Sequence, residues 1–141
     1  MSSSPPTRPS GTWSLVAARA LTALLAAMAL AQAVLAGSFL DGHAASLDPH
    51  LMIGMAMVAV AVLLAILSGI GLAQGLPRRM LVSASLVAVV LAVQVYAGMA
   101  GMVGLHVPLG VLLVAGIAMQ TVQAFRPVAR RPADSVPADV G

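Results

Sequence analysis

Four long apolar blocks divide the chain, at residues 15–36, 51–73, 80–102 and 107–125. Charge is confined to their edges: between Leu15 and Phe125 the only ionised side chains are Arg19, Asp41, Asp48, Arg78 and Arg79. A helix of about 20 apolar residues crosses a hydrocarbon core roughly 30 Å thick. The pattern therefore predicts an all-α protein, an integral membrane four-helix bundle with one transmembrane helix per block. Residues 15–126 form its single domain. The Ser/Pro-rich stretch 1–14 and the Pro/Arg-rich stretch 127–141 have the composition of disordered tails.

Punctuation refines the helix ends. Trp13 falls where helix 1 meets the headgroups. Asp48 is placed to cap helix 2, with Pro49 at its first helical position and His50 in its first turn. Gly75 and Pro77 end helix 2. Gly104 is placed to end helix 3 and Pro108 to sit in the first turn of helix 4, which pins His106 in a tight turn.

Two stretches repeat one phrase. QAVLAGSFLDGHAASLDPHLMIG, residues 32–54, and QVYAGMAGMVGLHVPLG, residues 94–110, both run from Gln through Ala-Gly to His-x-x-x-Gly. Helices 1–2 and 3–4 then form two parallel helical-hairpin repeats, related by an approximate two-fold axis along the membrane normal. Gln32 and Gln94 occupy equivalent places, as do His50 and His106, and Gly54 and Gly110 follow the histidines by one turn on the same face.

Composition narrows the possibilities. With 60% hydrophobic and 8% charged residues, the chain has a third of the charge of an ordinary soluble protein. It has no cysteine, which excludes disulfides, Fe–S clusters and thiolate zinc sites. The basic balance comes from seven arginines with no lysine, at the termini and in one loop, so it reads as a topology signal and not as a nucleic-acid surface. Arg8, Arg19, Arg78, Arg79, Arg126, Arg130 and Arg131 all fall on one side when both termini are cytoplasmic, in the plasma membrane of a bacterium. Ala31-Gln32-Ala33 also fits a cleavable signal peptide, but the apolar run continues through Val34, Leu35 and Phe39, which favours retention of helix 1.

The repeated phrase suits a planar macrocycle. His at i supplies an axial nitrogen, and Gly at i+4 offers a smooth surface, twice. His50 and His106 become candidate ligands to the iron of one b-type haem, with Gly54 and Gly110 clearing space and Gln32 and Gln94 as polar support. Gly98, Gly101 and Gly104 extend the smooth strip. The simpler alternative is packing: glycines let membrane helices approach, and buried amides bond across them. Copper(I) held by Met52, Met55, Met57, Met99 and Met102 with the histidines is a further alternative, as is a cofactor-free accessory subunit of a membrane complex. Ser68, Ser83 and Ser85 fall at the opposite end from the histidines, so no hydrolytic triad is expected. The histidine-free end offers only Met28, Met80 and Met119, so a single haem would not carry electrons across the bilayer alone.

Gln32…Ala36-Gly37 with His50, and Gln94…Gly98 with His106, resemble one four-helix half of the haem A synthases over roughly residues 15–125. They are also similar to small four-helix membrane proteins of high-GC bacteria. The resemblance implies histidines opening helices 2 and 4 that face each other and ligate haem b. The chain departs from the pattern of the reacting half, which has Glu three residues before its first histidine and Arg just after. Leu47 and Leu51 stand at those places here. The resemblance therefore implies a cofactor-holding scaffold, and the expected service is redox or haem handling. With all three histidines on the outer side, the expected electron partner is quinol or another membrane protein at the outer leaflet.

Overall fold

The computed structural model is described over residues 12–126. Four helices run up and down: α1 (Thr12–Leu40), α2 (Leu47–Ala73), α3 (Arg78–Met99) and α4 (Val103–Phe125), with a short 3-10 turn at Ala44–Ser46 before α2. Each packs on its sequence neighbours and α4 closes the ring against α1, whereas the diagonal backbones make no close approach. The protein is a four-helix bundle, and all four helices are long and apolar enough to span a bilayer. The 22 residues of α3 alone reach about 33 Å at 1.5 Å per residue. One end of the bundle carries the first residues of α1, the last of α4 and the α2–α3 turn. The other carries both remaining turns and the paired histidines.

At this second end α1, α2 and α4 run past their apolar blocks and α3 stops short of its own, because glycine and not polarity sets the turns. Gly42, Gly75 and Gly101 each have positive φ. Each closes a helix with paired reverse hydrogen bonds: His43 N to Ser38 O and Gly42 N to Phe39 O after α1, Leu76 N to Gly71 O and Gly75 N to Leu72 O after α2, and Met102 N to Ala97 O and Gly101 N to Gly98 O after α3. This is the Schellman arrangement, which needs a left-handed residue just beyond the helix. After α2, Leu76 also folds back onto Gly71, completing the motif's apolar contact.

Several boundaries expected from the sequence shift accordingly. Gly101, not Gly104, ends α3, and Gly104 belongs to α4. Pro108 lies inside α4 and not in its first turn. Asp48 does not cap α2, which begins at Leu47; its carboxylate sits in the first turn, where the helix dipole favours negative charge. Helix α1 takes in Thr12, Trp13 and Ser14, three positions expected in the tail over 1–14, and the remaining tail positions, residues 1–11 and 127–141, lie outside the described residues.

A seam of small residues and a few large apolar ones packs inward, while many large apolar side chains face outward. In α2 the buried positions are Gly54, Met57, Ala61, Leu64, Ser68 and Gly71, spaced alternately three and four apart as in a coiled-coil seam. Helix α4 continues the rule with Leu113, Ile117, Gln120 and Ala124. Ala18, Ala29, Ala61 and Ala84 let the backbones approach, while Val34, Leu86, Val111 and Leu112 point outward. This is the distribution expected when lipid and not water surrounds the bundle.

Polar bonds tie the end that carries the termini. Ser14 Oγ donates to Gln74 Oε1 at 2.9 Å, joining the start of α1 to the end of α2. Arg19 Nε donates to the carbonyl of Ala124 at 2.9 Å and its guanidinium lies 5.6 Å from the Phe125 ring centre. An arginine from one helix therefore completes the carbonyl end of another, where the dipole favours positive charge.

Candidate functional site

The sequence places His50 and His106 alike: each is the fourth residue of its helix, α2 or α4. These helices are diagonal in the ring and point the same way. The two imidazoles meet across the axis with ring centroids 6.1 Å apart and planes at 65°. Both side chains are half-buried near the mouth of the bundle.

Each histidine is held by the preceding helix through the same contact. Gln32 Nε2 on α1 donates to the His50 carbonyl at 2.8 Å. Gln94 Nε2 on α3 donates to the His106 carbonyl at 2.9 Å. The glycine one turn on makes the contact feasible. A Cβ on Gly54 would lie 3.1 Å from Gln32 Nε2, and one on Gly110 would lie 2.9 Å from Gln94 Nε2. Gln, His and Gly thus form one clasp, built twice. The hollow at each glycine is occupied by the glutamine amide.

The two rings are not equally fixed. His106 Nδ1 lies 2.9 Å from the Gln94 backbone oxygen. A carbonyl only accepts, so Nδ1 carries the proton and Nε2 keeps its lone pair. The second Gln94 amide hydrogen faces that Nε2 at the long distance of 3.4 Å. Gly98 seats the ring, since a Cβ there would stand 2.9 Å from His106 Cε1. On the other side, His50 Nδ1 is buried without a hydrogen-bond partner, as are Gln32 Oε1 and Gln94 Oε1. His43 stays in the exposed loop against the Ser38 carbonyl and does not join the pair.

Among the described residues no group of three or more His, Cys, Asp or Glu could hold a metal ion. The methionines do not gather either: Met57 is in the core, whereas Met52, Met55, Met99 and Met102 are exposed. No family model, curated protein or solved structure matches the chain.

A second polar layer, not anticipated from the sequence, lies at the end that carries the termini. Thr22, Ser68 and Gln120 are buried there. The signal was the seam itself, because Gln120 lies two heptads after His106 and Ser68 two after Gly54.

Proposed function

We propose that this multi-pass membrane protein holds one b-type haem between His50 and His106 and serves in redox or haem handling. The observation that carries the reading is the facing pair itself: two imidazoles from diagonal helices, 6.1 Å between centroids. If haem binds, these two imidazoles would hold its iron from helices α2 and α4. A porphyrin would bring four nitrogens of its own, so His50 and His106 would complete the ligands of its iron, where a bare ion needs more.

The donor set suits that role. His106 has the tautomer a ligand requires, because Gln94 takes the Nδ1 proton into a hydrogen bond and leaves Nε2 basic. His50 has a buried ring nitrogen free of competing bonds. Neutral imidazoles also avoid holding charge in lipid. Gln32 and Gln94 act as positioning residues: through the His50 and His106 carbonyls they fix the backbones from which the ligands project. Gly54 and Gly110 serve by admitting those amides. When bound, haem supplies one-electron exchange. With the pair at one end of the bundle, the exchange partner is a quinol or a membrane protein at that face.

A second reading is favoured by the filled glycine hollows. The clasps on their own lock two hairpins together, and the protein is then a cofactor-free accessory subunit.

A reduced-minus-oxidised spectrum with a haem assay on the detergent-purified protein separates the two. The haem reading predicts a low-spin b-type band near one haem per chain, lost in His50→Ala and His106→Ala and kept in His43→Ala. A featureless spectrum after expression with added haem leaves the structural reading.

A further inference from the structure

The polar layer at the end that carries the termini is a site of its own. Ser68 on α2 and Gln120 on α4 are 2% and 6% exposed, and Ser68 Oγ and Gln120 Oε1 have no hydrogen-bond partner within the protein. Thr22 on α1 donates to the Ala18 carbonyl at 2.7 Å, which leaves its oxygen lone pairs available. All three line one cavity with Leu64, Met80 and Ser83. Its volume open to the centre of a water-sized sphere is about 10 Å³, at the threshold for a single water.

We propose that one buried water binds there and joins α1, α2 and α4. It accepts from the Ser68 hydroxyl and donates to Gln120 Oε1 and Thr22 Oγ1, the three bonds typical of internal water. Two buried acceptor or donor groups facing an apolar interior are costly, and one bridging water satisfies both. The lining has no carboxylate to favour a cation. Leu25, Leu64 and Ile117, each no more than 2% exposed, seal the cavity from the histidine end. The water is therefore a structural node and not part of a path through the bundle.

The test is water-to-methyl magnetisation transfer by NMR on the full chain in lipid nanodiscs, with methyl-labelled Leu, Ile and Met. Transfer to the Leu64 and Met80 methyls should exceed that to Leu25 and Ile117 several-fold. Gln120→Leu should remove the excess, and Ser68→Ala serves the same purpose if that variant does not fold. Equal transfer at all four residues in the parent protein overturns the proposal. So does an excess that survives both substitutions, since it would report seepage of bulk water and not a held molecule.

Discussion

His50 and His106 meet 6.1 Å apart across the axis of the bundle, from helices that are diagonal and whose backbones make no close approach. Side chains alone bridge that gap, and each is aimed by a glutamine from the helix before it. The relationship turns a repeated phrase in the sequence into a pair of matched clasps around one point.

The clasps are unequal, so their removal should be unequal too. Gln32→Leu loses one bond to a carbonyl but also removes a buried unpaired oxygen. A net loss of no more than about 1 kcal/mol is expected. Gln94→Leu likewise loses a carbonyl bond and a buried unpaired oxygen, and it loses in addition the contact with the His106 ring. It should cost more, about 1–2 kcal/mol. Unfolding in mixed micelles measures both; equal losses would mean that the ring contact contributes nothing.

Gly110→Ala tests the clasp through coupling. The new Cβ would displace the Gln94 amide from 2.9 Å and lose a bond of about 1 kcal/mol. Alanine returns roughly the same in helix propensity, so the single variant should be near neutral. In a Gln94→Ala background the bond is already gone, and Gly110→Ala should then stabilise by about 1 kcal/mol. An identical effect in both backgrounds contradicts the clasp. Gly54→Ala with Gln32→Ala should behave the same way.

The fold was legible because four apolar blocks of membrane length leave few alternatives. The helix ends were not, since apolar runs do not mark where a chain turns. Gly42 and Gly101 stop their helices by adopting positive φ, and nothing in composition distinguishes Gly101 from Gly98 or Gly104. The pairing of Gln32 with His50 and Gln94 with His106 was visible as a recurring order of residues. What each glycine does was not. Only the geometry shows that Gly98 seats an imidazole while Gly54 and Gly110 admit amides.

Gly98→Ala should act on the site more than on the fold. Its Cβ would stand 2.9 Å from Cε1 and 3.0 Å from Nδ1 of His106, so the ring must shift, which disturbs its 2.9 Å bond to the Gln94 carbonyl. Nitrogen NMR of the imidazole should then show a mixture of tautomers where the parent shows Nδ1–H alone. Losing the hydrogen bond that orients a ligating imidazole weakens metal binding by about 10–100-fold, so under the proposed haem reading haem affinity should fall in that range. An unchanged tautomer would show that the seat is not needed.

Arg19→Ala removes both the bond to the Ala124 carbonyl and the stack on Phe125. The expected loss is about 1–2 kcal/mol of unfolding free energy. Arg19→Lys should restore little of it, because the Nε donor and the planar group both disappear. Full rescue by lysine would reduce the role of Arg19 to its charge.

The most direct measurement is the electron paramagnetic resonance spectrum of the oxidised, haem-loaded protein, taken beside His50→Ala and His106→Ala. The parent should give a low-spin signal of two imidazole ligands, and each variant should turn high-spin or lose the haem. A high-spin parent, or a low-spin signal that persists in either variant, contradicts the assignment of His50 and His106 as the axial pair.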